Sequence, residues 1–176
     1  MIHMKHFRSN RKRSQLKGYS LIELVLYIGI LAILLAVLTS IFTSIVDVQL
    51  ESSATSSVNQ DGRYLLSKLL YDVKSSSSIV IPATPGTQSS TLQLTINSIN
   101  YTYSLNGSSN LQVVNNTTNE VNVLNSYDTT ISGLTFTRIG NGGSNDTVRV
   151  SYTVKSRTTQ RSGQETKTFT TTLGKQ

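Results

Sequence analysis

A single carboxylate, Glu23, stands at the mouth of a 23-residue run, Leu24 to Val46, that carries no charged side chain. An acid placed in a bilayer costs a few kcal/mol unless it has a partner, so such residues usually have a function. A milder role for Glu23 is to sit at the start of a helix, near the headgroups, and favour the positive end of the dipole. The remaining inventory narrows the chemistry sharply. The chain has no cysteine and no tryptophan, and both histidines, His3 and His6, precede Gly18. Thiolate chemistry, disulfide staples, His-dependent triads and ordinary zinc sites therefore have no residues to work with beyond Gly18. A carboxylate pair or a Ser-Lys arrangement is formally open, but no spacing favours either. No enzyme activity, metal or cofactor is expected.

The elements that must position Glu23 follow from periodicity. Roughly 20 apolar residues at about 1.5 Å rise span a hydrocarbon core, and a signal-peptide core of about 7–15 residues is shorter than this run. Residues 19–46 are read as a transmembrane helix. Six of the 16 Lys and Arg, namely Lys5, Arg8, Arg11, Lys12, Arg13 and Lys17, lie in residues 1–18, leaving ten against nine acids beyond them. The formal charge of +7 thus belongs mostly to the N-terminal end. Basic flanks are retained inside, so the N-terminus is expected in the cytoplasm and the C-terminal part outside. Gly29, Ala32 and Ala36 share a helix face and would let another helix approach. Hydroxyls at Thr39, Ser40, Thr43 and Ser44 can bond back to the helix.

The combination of a basic leader, Gly18, Tyr19-Ser20-Leu21-Ile22-Glu23 and a long apolar run resembles the processing site of type IV prepilins and type II secretion pseudopilins. Tyr19 and Ser20 stand where Phe and Thr are usual. The resemblance implies a cytoplasmic leader, 1–18, removed by a prepilin peptidase between Gly18 and Tyr19, with methylation of the new amine. It also implies an assembly role for Glu23, pairing with the N-terminal amine of a neighbouring subunit. Two charges in low dielectric attract strongly, and pairing offsets their desolvation. The implied partners are other pilin or pseudopilin subunits, the prepilin peptidase and methyltransferase, inner-membrane assembly machinery and the lipid bilayer. Nucleic acid is not expected as a direct ligand, although a DNA-uptake system would bring it near. The implied location is a single-pass cytoplasmic membrane protein that passes into a pilus or pseudopilus at the cell envelope. The helix end Arg63–Ser75 more loosely resembles minor pilins and pseudopilins of the J and W kinds, which would make this a tip or priming component. A rival reading is an unprocessed, membrane-anchored exported binding domain.

Beyond Val46 the helical period continues through Leu65, Leu66, Leu69, Leu70 and Val73. Residues 47–75 are expected to be an amphipathic continuation of the helix, loosened at Asp61-Gly62 and ended by Ser75–Ser78. Residues 76–176 then alternate apolar and polar, as in Leu92–Ile96, Leu134–Thr137, Val148–Val154 and Thr166–Thr170, which is the pattern of half-buried strands. Asn106-Gly107, Asn141-Gly142-Gly143 and Ser162-Gly163 are expected turns, the first joining Tyr101–Leu105 to Leu111–Val114. The predicted class is α+β, a long N-terminal helix packed on a small antiparallel sheet domain, as in pilins. Asn141–Asp146 offers one carboxylate and reads as a plain turn rather than a calcium loop. Lys155, Arg157, Arg161 and Lys167 read as an exposed hairpin, not a nucleic-acid platform.

Overall fold

The computed structural model describes residues 18–140 and 146–175. One helix, α1 (Leu21–Ser75), precedes nine strands: β1 (Ser78–Ile81), β2 (Gln88–Ser89), β3 (Leu92–Ile96), β4 (Ile99–Leu105), β5 (Leu111–Asn115), β6 (Glu120–Val123), β7 (Thr129–Arg138), β8 (Thr147–Gln160) and β9 (Gly163–Gly174). The chain divides into two compact units, Met1–Thr43 and Ser44–Gln176.

In the first unit, α1 contains an 18-residue window of mean hydropathy 2.9, none of it buried within the protein, and is long and apolar enough to cross a membrane. Thr39 Oγ1 donates to the Leu35 carbonyl at 2.8 Å and Thr43 Oγ1 to that of Ser40 at 2.9 Å. The hydroxyls are thus absorbed by the helix itself.

The second unit is the expected α+β arrangement, with the strands divided between two antiparallel sheets. One has the order β1-β3-β4-β5-β6 and the other β2-β7-β8-β9. All six expected strand segments, within β3, β4, β5, β7, β8 and β9, and the hairpins at Asn106-Gly107 and Ser162-Gly163 are present. The β3–β4 turn was not foreseen. Ile96 pairs with Ile99 across only two residues, Asn97 and Ser98, at φ 50° and 65°. Two left-handed residues give the turn whose twist matches the strands, and Asn tolerates that conformation.

The core lies where α1 meets both sheets. Val58, Leu65, Leu69 and Val73 are buried with Leu92, Leu94, Tyr103 and Leu111 of one sheet and Phe136, Val150, Tyr152 and Val154 of the other. Residues 47–60, where the apolar signal is thin, are helical, and Ala54 and Val58 are buried. The expected loosening at Asp61-Gly62 is not found. Both residues are helical and buried, and the Asp61 carboxylate accepts bonds from the Ser126 amide (2.9 Å), the Ser126 hydroxyl (2.7 Å) and the Thr129 hydroxyl. Gly62 lies against the Phe169 ring, which occupies the space a Cβ would need, and its carbonyl accepts the Tyr152 hydroxyl at 2.7 Å. Glycine is therefore present for close approach and not for flexibility.

A surface-helix Gly→Ala change normally stabilises by about 0.5–1 kcal/mol. Gly62→Ala is expected to destabilise instead, by about 1–3 kcal/mol, because the ring must be displaced. Thermal unfolding of the full chain in detergent checks this: the variant should melt lower, and adding Phe169→Leu should recover part of the loss. A higher melting point for Gly62→Ala would rule out the close contact.

Candidate functional site

The three residues singled out for processing and assembly lie together at the start of α1. Gly18, Tyr19 and Ser20 precede the helix and are exposed. Ser20 caps it: its hydroxyl accepts the Glu23 amide at 3.3 Å, while its carbonyl accepts the Leu24 amide at 3.1 Å. Ser20-Leu21-Ile22-Glu23 therefore has the spacing of a capping box, with Glu23 at the third helical position. That signal was present in the sequence and was overlooked. Glu23 also sits in the first turn, where the helix dipole favours an anion. Its Oε1 accepts the Tyr27 hydroxyl one turn on at 3.2 Å. The Tyr19 ring meets the Tyr27 ring edge to face, with centroids 6.1 Å apart. Tyr19, Glu23 and Tyr27 thus form a short polar-aromatic cluster at the head of an apolar helix. Tyr19 is 76 % exposed, and no described residue lies within 4 Å of where a Gly18 Cβ would stand.

Residues 1–17, the rest of the expected leader, lie outside the described residues. So do 141–145, most of the segment read as the Asn141–Asp146 turn. Asp146 itself forms an ion pair with Arg138, whose guanidinium also donates to the carbonyls of Ile79, Pro82 and Ala83. Among the described residues, no group of three or more His, Cys, Asp or Glu is placed to hold a metal. Three of the four hairpin cations, Arg157, Arg161 and Lys167, are held by contacts within the fold. Arg157 donates to the Thr129 carbonyl and Asn110 Oδ1 and lies over the Tyr127 ring. Arg161 pairs with Asp47 at 3.3 Å, and Lys167 donates to Asn59 Oδ1 at 2.7 Å.

A second polar constellation, missed in the sequence, lies where α1 crosses the five-stranded sheet. Asp72 is buried, its Oδ1 accepting Lys68 Nζ at 2.9 Å and its Oδ2 accepting the Tyr103 hydroxyl. Burial, and then the bond to Asp72, push the Tyr103 hydroxyl far above the ordinary tyrosine pKa, and burial does the same to Tyr152. The signal available was the i, i+4 pair Lys68–Asp72 on a helix whose apolar stripe also holds Asp72. Nothing in one strand's alternation indicates which of its tyrosines will find that acid. Comparison of the chain with family models, with curated proteins and with solved structures gave no match in any of the three.

Two predictions follow from these contacts. Ser20→Ala removes a cap of about 0.5–2 kcal/mol, so the Glu23 amide should exchange with solvent roughly tenfold faster while Ser20→Asp stays near wild type. Equal exchange in all three chains would show that the cap is not formed. Tyr103 and Tyr152 keep their protons in the fold at pH values where the unfolded chain, with ordinary tyrosines, loses them. Their contribution is therefore complete below about pH 10 and is lost as pH rises beyond it. Well above pH 10, unfolding free energy should fall by about 3 kcal/mol per pH unit from these two groups, and Tyr103→Phe should halve that slope. Denaturant titrations of the full chain in detergent between pH 9 and pH 12 provide the check.

Proposed function

We propose that the chain is a prepilin-like structural subunit. It is cleaved between Gly18 and Tyr19, methylated at the new amine, and assembled through its N-terminal helix into a type IV pilus or type II secretion pseudopilus as a minor, tip or priming component. The observation that carries this reading is the bare Gly18–Tyr19 junction directly ahead of a capped helix start holding Glu23. Among the described residues nothing crowds Gly18, and Tyr19 is exposed, which suits a junction that an enzyme must reach. The unburied apolar surface of α1 supports packing against lipid first and against neighbouring helices later.

In this reading Glu23 supplies the negative charge that meets a neighbour's methylated amine. At the helix start its carboxylate already accepts the Tyr27 hydroxyl, which holds it beside the Tyr19 junction. The role is structural and needs no catalytic residue or cofactor. The chain would sit first in the cytoplasmic membrane with its N-terminus inside, and its β unit would face outward.

Intact mass and N-terminal sequencing of the protein from its native membrane test the proposal, beside a Gly18→Ala variant. The expected product starts at a methylated Tyr19 and is lost in the variant. With cleavage established, Glu23→Ala should leave a processed, membrane-held subunit that fails to enter filaments. A mature chain that still begins at Met1 would overturn the proposal in favour of an anchored binding domain.

A further inference from the structure

The five-stranded sheet is wider than the helix that covers it. A helix with side chains is about 10–12 Å across and strands lie about 4.8 Å apart, so one helix covers little more than two strands. Register places Tyr101, Tyr103, Val113 and Asn122 on the face that α1 packs against, since Tyr103 opposes Val113 and Val113 opposes Asn122. At the β6 side that face runs past the helix, and all four β6 residues are exposed. The result is a cleft of about 490 Å³ between α1 and the sheet, lined by Tyr64, Lys68, Asp72, Tyr101, Tyr103 and Asn122 among others. This volume lies in the range of small-ligand sites.

The lining has a definite chemistry. Tyr64 and Tyr101 bring two aromatic rings, and neither stacks on another among the described aromatic pairs. Lys68 is an ammonium donor already neutralised by Asp72, so the pair confers polarity without net charge. Asp72, itself 3 % exposed, uses one acceptor site on each oxygen and retains others. Asn122 spends one amide hydrogen on Glu120 Oε1 at 3.2 Å and keeps the other hydrogen and its carbonyl. The wall thus combines these polar groups and tyrosines with four aliphatic side chains, Ile96, Val113, Val123 and Leu124, and its one charged pair is mutually neutralised.

We propose that this cleft binds a neutral saccharide unit. A sugar ring presents C–H faces, which suit the tyrosine and aliphatic parts of this lining, and hydroxyls that both donate and accept, which suit the Lys68–Asp72 pair and Asn122. An extended peptide is matched less well: the cleft opens on the face of the sheet, whereas a peptide would pair along the β6 edge. The site lies wholly in the second unit and does not depend on cleavage at Gly18.

The test is titration of the isotope-labelled full chain in detergent micelles with the methyl glycosides of glucose, galactose and N-acetylglucosamine, followed by NMR. One of the three should move the signals of Tyr64, Lys68, Tyr101 and Asn122 saturably, with dissociation constants in the millimolar range. Tyr64→Ala should weaken that binding about tenfold, the loss of one ring stack. Asn122→Ala, on an exposed strand, should weaken it as well and guards against misfolding of the first variant. Core signals such as Leu92 and Val150 should stay in place in both. No saturable shift with any of the three sugars would overturn the proposal, as would binding unchanged in both variants. It would equally be overturned if inorganic phosphate, or chain concentration alone, moved the same signals, showing an anion site or a contact between copies.

Discussion

Two carboxylates inside an apolar seam constrain everything else in the β unit. Asp61 and Asp72 lie on the buried stripe of α1, where an unsatisfied acid would cost several kcal/mol. Each is satisfied by groups from elsewhere in the sequence: Asp61 by the Ser126–Thr129 segment, Asp72 by Tyr103 of β4 as well as by Lys68. Apolar contacts alone would let the helix slide or turn by small steps at little cost. Directional bonds at both acids, with the Tyr152 hydroxyl on the Gly62 carbonyl between them, hold one register.

The same seam explains how much of the fold was legible. The apolar periodicity of Leu65, Leu69 and Val73, the alternation in β3, β7, β8 and β9, and the glycine turns are local signals, and each was read from the chain. The short strands β1, β2 and β6 carry too few residues to show a period, and Asn97-Ser98 makes its turn without the glycine that usually marks it. Asp61-Gly62 was read as a weak point because an acid and a glycine lower local helix propensity. The tertiary partners Ser126, Thr129 and Phe169 lie more than 60 residues away and reverse that preference.

At the helix head the balance differs. Gly18, Tyr19 and Glu23 were legible as a motif because their relation is sequential, and the coordinates add Ser20 as the cap and Tyr27 as the partner of the acid. The cleft beside β6 was not legible at all. It exists because one helix cannot cover five strands, a fact of packing width that no stretch of sequence contains.

The bonds from the β unit to α1 also have a mechanical meaning. Asn59, Asp61, Gly62 and Asp72 are spread along 14 residues of the helix, about 20 Å of its axis. Because they grip the rod along its flank, traction along the axis would load them in shear and together. A joint loaded in this way resists far more force than one peeled open from an end, so tension along α1 would reach the β unit without first prying it from the helix.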